Sequence, residues 1–258
     1  MSTEKVNLAL GGGTAYGFTH IGVLRRLEDE NLRPAVIAGT SMGALIAALY
    51  SRTGSAEEVA GLCRRFFVEK TWKRLFPLNL PFARSIVRTD IIRSSLAGIF
   101  GMSDIADLPI PLIITGSDLK SGRTILFKQG PLVDLLMASM AVPFFFPPLR
   151  LLGYHLVDGG MTSLVPVRAC SGYPGRTIAC HAYGKYKPFC GTPGILRVHF
   201  HSQYMLDHAL GRMEIESTDC TAVYPDTSGI GMFQFHRLDE LMERGYEAAK
   251  QALQPPPR

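Results

Sequence analysis

The stretch AVIAGTSMGALIAALY, residues 35–50, decides how the chain folds. Its first four residues are an apolar run typical of a buried strand, and its last seven are typical of a buried helix. Between them stands Ser41 in the pattern G-x-S-x-G, with Gly39 and Gly43 on either side. A strand, a sharp turn and a helix around such a serine are the context of a nucleophile elbow. We expect Ser41 to be a nucleophile, although the five-residue pattern alone also fits a serine that only separates a strand from a helix.

Strand and helix signals alternate along the rest of the chain. Strands are predicted at Val6–Leu10, Ala35–Ala38, Pro111–Thr115, Thr124–Lys128, Tyr154–Val157 and Arg176–His181. Helices are predicted at Phe18–Glu30, Ala44–Tyr50, Leu132–Met140 and Leu238–Leu253, with a further helix start at Ser55. The alternation predicts an α/β fold with a mainly parallel sheet. Without a repeat or a clear linker, we expect one domain over residues 1–258, with a frayed tail at 250–258.

Composition excludes several classes of protein. The chain has 258 residues, of which 47% are hydrophobic and 19% charged, a balance typical of a globular enzyme. The net charge of +5 gives mild attraction to anionic surfaces, but the basic residues form no block, so we expect no nucleic-acid partner. The five cysteines form no Cys-x-x-Cys pair, which argues against a disulfide framework or a zinc site and fits a reducing compartment.

Neither a signal peptide nor a bilayer-spanning segment is recognisable in this sequence. The most apolar late run, residues 138–152, is short and is interrupted by three prolines and an arginine. We therefore expect a soluble, cytoplasmic protein. Peripheral contact with anionic membrane surfaces and the oligomeric state are left open.

The glycine-rich segment Gly11–Gly17 lies between a predicted strand and a predicted helix. It is not a dinucleotide fingerprint, because Tyr16 stands where the third glycine belongs. It is not a P-loop either, because Phe18 and Thr19 follow it instead of Lys and Ser/Thr. Bare backbone N–H groups at a helix N-terminus stabilise an anion, including the oxyanion of an acyl-transfer intermediate. A tight structural turn is the alternative.

A serine nucleophile needs a base, and the residues alone leave two candidates open. Asp158 ends a predicted hydrophobic strand and precedes two glycines, although Asp-Gly-Gly is also a common turn signal. A Ser–acid–His triad would instead draw on one of the later histidines. These are His181, His199, His201, His208 and His236. The run His199-Phe200-His201 would place two imidazoles on one face of a strand, but no third metal ligand accompanies them, so an ordinary polar surface is the favoured interpretation.

The ordered set of motifs resembles the patatin-like phospholipase family, particularly its bacterial members and the catalytic domains similar to neuropathy target esterase. Gly11–Gly17 looks like the oxyanion loop of that family, and Gly39–Gly43 looks like its nucleophile elbow. Ala138–Pro148 resembles its Ala-Ser-x-Ala-x-Pro segment, and Leu156–Val167 resembles its Asp-Gly-Gly/Ala segment. The resemblance covers nearly the whole chain and implies a three-layer α/β/α fold.

The resemblance also implies a mechanism without a histidine. Ser41 would attack an ester carbonyl, Asp158 would accept the serine proton, and an acyl-enzyme would form. Backbone N–H groups of Gly12, Gly13 and Thr14 would hold the oxyanion. Phospholipids or lysophospholipids are the implied substrates, with no cofactor and no metal.

The sequence departs from the family pattern in the oxyanion loop. Tyr16 occupies a position that is usually basic, and Thr14 stands where a fourth glycine is common. The backbone donors survive both changes, but a nearby cation is lost and a Cβ atom disfavours positive φ, which predicts weaker oxyanion stabilisation or an altered substrate preference. A catalytically weakened lipid-binding relative is therefore an alternative function.

Two apolar segments are candidates for contact with lipid. Phe144, Phe145 and Phe146 would line an acyl pocket, or else belong to the ordinary core. The basic and apolar stretch Lys70–Phe82 would form an interfacial flap, in which Trp72 and Phe76 enter the lipid. A solvated helix end and loop is the alternative interpretation of that stretch.

Overall fold

A computed structural model of the chain describes residues 4–70, 88–192 and 194–254. The flap that the sequence predicts around Trp72 and Phe76 lies outside the described residues, as do the last four residues of the predicted tail.

The described strands form one mixed, eight-stranded sheet. They are β1 Glu4–Leu10, β2 Leu32–Gly39, β3 Leu112–Asp118, β4 Arg123–Phe127, β5 Leu149–Leu151, β6 Tyr154–Asp158, β7 Thr177–Cys180 and β8 Thr221–Val223. Their order is β5-β6-β3-β2-β1-β7-β8, and β4 pairs with β3 off this path. The run β3-β2-β1-β7-β8 is parallel throughout, whereas β4, β5 and β6 join by antiparallel pairing.

Helices flank this sheet. The α-helices in the described ranges are α1 Thr19–Asp29, α2 Met42–Thr53, α3 Ala56–Cys63, α4 Thr89–Phe100, α5 Leu132–Ser139, α6 Ile195–Glu216 and α7 Leu238–Leu253. Strand β3 is buried at every position, as expected for a strand covered by helices on both faces. The predicted α/β/α fold with a mainly parallel sheet is confirmed. No described helix has the length and apolar character that crossing a bilayer requires.

Two local predictions differ from the structure near the N-terminus. The helix expected from Phe18 begins as a 3₁₀ turn at Thr14–Phe18, and α1 starts only at Thr19. The strand expected from Ala35 already begins at Leu32, so Pro34 lies inside β2, where the register between β1 and β2 shifts. Because proline has no N–H for the ladder, an irregularity at this point lets the strand continue.

The histidine pair was also misplaced by sequence reasoning. His199 and His201 lie on helix α6 and not on a strand, so they do not share one face. Apolar side chains occur all around the first turns of α6, so no simple amphipathic stripe marks it as a helix in the sequence. At the C-terminus, α7 continues to Leu253, and the first residues assigned to a frayed tail are helical.

Helices α1 and α7 pack in close backbone contact, with one glycine on each helix at the contact. A Cβ atom built on Gly22 would lie 1.8 Å from the carbonyl oxygen of Met242, and one on Gly245 would lie 1.9 Å from that of Thr19. Only glycine permits this approach, since neither backbone oxygen can move without shifting its helix.

Gly22→Ala is expected to destabilise the fold by about 3 kcal/mol or more, at the upper end of the cost of overpacking a core. Gly98→Ala in α4 is the matched control, because a methyl group added there would have no atom within 4 Å. That control is expected to stabilise by up to about 1 kcal/mol through helix propensity. Urea unfolding of both variants checks the prediction, and equal midpoints would contradict the described crossing.

Candidate active site

Ser41 lies on a strained turn between the end of β2 and the first turn of α2. Its φ of 54° and ψ of −121° are unusual for a residue with a side chain. A Cβ atom on Gly39 would lie 2.6 Å from the Cα atom of Ala44, and one on Gly43 would lie 2.2 Å from the carbonyl oxygen of Leu10. Both glycines are therefore required by the close passage of strand and helix. The backbone N–H of Ser41 itself donates to another side chain, the hydroxyl of Ser139, over 2.9 Å.

The tertiary fold brings Ser41 against Asp158, the last residue of β6. The hydroxyl of Ser41 donates to Oδ2 of Asp158 over 2.6 Å, and both side chains are buried. The second carboxylate oxygen of Asp158 accepts the N–H of Gly160 over 2.8 Å. The N–H of Asp158 donates to the carbonyl of Ala141 over 2.9 Å, which holds the end of the strand in place. These contacts orient the carboxylate so that one oxygen faces the serine.

Burial changes the acidity of this carboxyl group. Removal from water raises the pKa of Asp158 to about 7. The hydrogen bonds from Ser41 and Gly160 act in the opposite direction, because they stabilise the charged form. Asp207 adds to the increase through its negative charge. An aspartate that titrates near neutrality is a far better base than a solvated one.

Asp207 is a residue that sequence reasoning missed. It lies on α6, lines the same cavity as Asp158, and accepts hydrogen bonds from the hydroxyl of Tyr183 (3.2 Å) and the amide of Gln203 (2.7 Å). Burial also raises the pKa of Asp207. The spacing of Phe200, Gln203 and Asp207 places them on one face of a helix, but the sequence carries no clear helix signal over α6.

The glycine loop forms one wall of the site, but not all three predicted oxyanion donors are available. The N–H of Gly12 donates to the carbonyl of Leu164 over 3.0 Å, so it is already occupied. In the described parts of the chain, the N–H groups of Gly13 and Thr14 make no hydrogen bond, and both residues line the cavity. Thr14 adopts a φ of 47°, and its hydroxyl, 2.6 Å from the carbonyl oxygen of Met232, donates to it. That tether offsets the strain of a β-branched residue at positive φ.

Tyr16, the main departure from the family pattern, is a buried anchor. Its hydroxyl donates to the carbonyl of Ile230 over 2.8 Å. The ammonium of Lys187 lies 4.1 Å from the centre of the Tyr16 ring and donates to the carbonyl of Thr227. A cation thus approaches the loop from a distant part of the sequence, by a cation–π contact.

None of the later histidines among the described residues forms a hydrogen bond with the Ser41–Asp158 pair. His181 and His208 bond to backbone carbonyls, and burial lowers the pKa of His181 to about 4. His20 bonds to the carbonyl of Gly11 over 2.7 Å and supports the glycine loop from behind. His199 lines the cavity.

The cavity that contains Ser41 and Asp158 has a volume of about 300 Å³ and an apolar lining. The three candidate phenylalanines, Phe144, Phe145 and Phe146, all line it, although Phe144 is largely exposed. Further apolar walls come from α2, the segment after α3, α4, α6 and the segment before α7. They include Leu45, Phe66, Phe67, Ile92, Leu96, Phe200, Tyr204 and Phe235.

Comparison with known proteins agrees with this architecture. The VipD protein of Legionella pneumophila has a solved structure that matches with a TM-score of 0.54 at 10% sequence identity, over 98% of this chain and 67% of VipD. That likeness concerns the fold. An uncharacterized NTE family protein of Mycobacterium tuberculosis is 33% identical over 171 residues, which are 66% of this chain and 47% of that protein.

A second curated relative is the lysophospholipase NTE1 of Candida albicans, 28% identical over 169 residues, 65% of this chain and 12% of that protein. The chain thus spans at most about half the length of these curated relatives. A family model described as patatin-like phospholipase matches residues 8–171, a range that contains the glycine loop, Ser41 and Asp158. The chain belongs to the patatin-like phospholipase family.

Proposed function

We propose that the chain is a serine acyl hydrolase that cleaves carboxylic esters of phospholipids or lysophospholipids through Ser41 and Asp158. The observation that carries the proposal is the 2.6 Å hydrogen bond from the serine hydroxyl to a buried carboxylate at the wall of an apolar cavity. Membership of the family and the likeness to a lysophospholipase support the substrate class.

In the first half of the reaction, Asp158 accepts the Ser41 proton while the serine oxygen attacks the ester carbonyl. The free N–H groups of Gly13 and Thr14, together with the N-terminus of α2, stabilise the negative oxygen that develops. When the tetrahedral intermediate collapses, Asp158 returns the proton to the leaving alcohol. The product of this half is an ester between the fatty acid and Ser41.

In the second half, Asp158 removes a proton from water, which attacks the acyl-enzyme carbonyl. The same N–H groups hold the second oxyanion, and collapse returns the proton to Ser41 and releases the fatty acid. The acyl chain lies among Phe144, Phe145 and Phe146, whose rings exclude water from the reacting carbonyl. A dyad is sufficient here because the raised pKa of Asp158 supplies the basicity that a histidine provides in a triad.

Ser41→Ala is expected to reduce kcat/KM at least about a thousandfold on lysophospholipids and on soluble aryl esters, because the nucleophile is lost. Fluorophosphonate labelling of the wild type should also disappear in this variant.

His199→Gln is the matched control and tests the triad alternative. It should lose less than the roughly hundredfold that a general base contributes. Hydrolysis that survives Ser41→Ala would overturn the assignment, and wild-type protein without activity or labelling would favour a lipid-binding relative.

The pH dependence of kcat/KM follows from the protonation of Asp158. The base must be ionised, so the rate is expected to rise with pH through an apparent pKa of about 7. Asp207→Asn removes a negative charge that raises the pKa of Asp158. The acid limb of the kcat/KM profile of this variant should therefore lie at lower pH than that of the wild type. Asp219→Asn, an exposed carboxylate outside the cavity, is the control. An acid limb in Asp207→Asn at or above the wild-type pH would contradict this role.

Asp158→Asn is expected to lose activity but to gain stability. The pKa of Asp158 is raised on folding, so the folded chain holds the proton more tightly than the unfolded chain. Ionisation therefore costs stability, beginning near the pKa of an unfolded aspartate, about 4, and complete above about 7. The asparagine avoids that cost, so its urea midpoint should exceed that of the wild type at pH 8, with a smaller difference at pH 5. A lower midpoint at pH 8 would refute the desolvation of Asp158.

A further inference from the structure

Helix α6 presents an apolar stripe to solvent along its outer side. The stripe recurs at helical spacing from Ile195 to Met213, a length of about 27 Å at 1.5 Å per residue. Ile195 is 91% exposed, Leu206 66% and Met213 67%. The other exposed members of the stripe are Val198, Met205 and Ala209. Ser202 and Arg212 are the polar members of the stripe, and exposed Arg212 forms an ion pair with Glu216, one turn further along the helix.

A continuous exposed stripe of this kind is unusual for a helix of a globular domain, whose apolar face normally turns to the core. Isolated exposed apolar residues need no explanation, but an aligned set marks an interaction surface. The inner side of α6 does pack inward, through buried Tyr204, His208, Gly211 and Ile215. The helix therefore has apolar residues on two sides. Its inner side packs on the protein, and its outer side is a candidate contact surface.

The stripe is continuous with the mouth of the catalytic cavity. Leu196, which follows Ile195, is 61% exposed, and Phe200, one turn after Leu196, lines that cavity. Its ring contacts the exposed ring of Phe144 edge-on, with 5.8 Å between ring centres. Phe189, also exposed, contacts His201 near the start of the helix. The outer surface of α6 thus extends as apolar side chains to the place where a substrate enters.

We propose that the outer stripe of α6 docks the protein on a lipid surface, with the helix lying in the interface and the cavity mouth facing the lipid. This inference rests on the proposed function, because it takes the substrate to come from that surface. Interfacial helices bury an aliphatic side and place basic residues among the head groups. Exposed Arg197 lies in the first turn of α6 and exposed Arg212 near its end, and the net charge of +5 favours anionic lipid.

The test uses the full chain and vesicles of phosphatidylcholine that contain a minority of phosphatidylglycerol. The double variant Leu206→Glu/Met213→Glu places two negative charges in the stripe. Met102→Glu/Leu119→Glu is the matched control, because it makes the same change of charge at exposed apolar residues away from α6. Cosedimentation is expected to show at least about tenfold weaker partitioning for the stripe variant, and wild-type partitioning for the control.

The outcomes separate this inference from the proposed function. Ser41→Ala should bind vesicles like the wild type while hydrolysing nothing, and the stripe variant should keep its hydrolysis of a soluble aryl ester. Equal vesicle binding by the wild type and the stripe variant, or none by either, would overturn the docking surface alone. A wild-type dimer in analytical ultracentrifugation that the stripe variant abolishes, with vesicle binding unaffected, would assign the stripe to a second copy and also overturn it.

Discussion

The hydrogen bond between Ser41 and Asp158 is the contact on which the rest of the site depends. It joins residues that are 117 positions apart in the chain, and its donor and acceptor oxygens are only 2.6 Å apart. Three features must agree for it to form. The elbow must hold the serine in a strained conformation, β6 must end beside β3 with Asp158 opposite Gly116, and both groups must be withdrawn from water. The sheet therefore positions the hydroxyl oxygen of Ser41 within hydrogen-bonding distance of the carboxylate of Asp158.

Burial makes this contact chemically useful. The same removal from water that raises the pKa of Asp158 also strengthens every electrostatic interaction within the site. The strained turn at Ser41 and the positive φ of Thr14 are local costs, and backbone and side-chain hydrogen bonds around them hold both in place. The site thus combines strain, desolvation and unpaired N–H groups, features that a structure selected for stability alone would avoid.

Helix α6 contributes residues both to the cavity around Ser41 and to the outer surface of the protein. Its inner side supplies Gln203 and Asp207, which line the cavity close to the dyad, and its outer side carries the apolar stripe. Substitutions on the two sides of this helix should therefore have separable effects, one on the acidity of Asp158 and one on the proposed contact with lipid. Tyr16 replaces the basic residue that is usual at this position of the family. The ammonium of Lys187 lies over the Tyr16 ring and so places a cation beside the glycine loop.

The sequence by itself determined the features that depend on neighbouring residues: the strand–turn–helix around Ser41, the glycine loop, the cap at Ser55 and the alternation that predicts the α/β fold. Tertiary structure alone decided which groups meet. Only the packed chain shows that the N–H of Gly12 is occupied by Leu164, that Asp207 lies near Asp158, and that the outer side of α6 faces solvent. The reason is physical: local backbone preferences act over a few residues, whereas hydrogen-bond partners and desolvation depend on segments that sequence distance does not bring together.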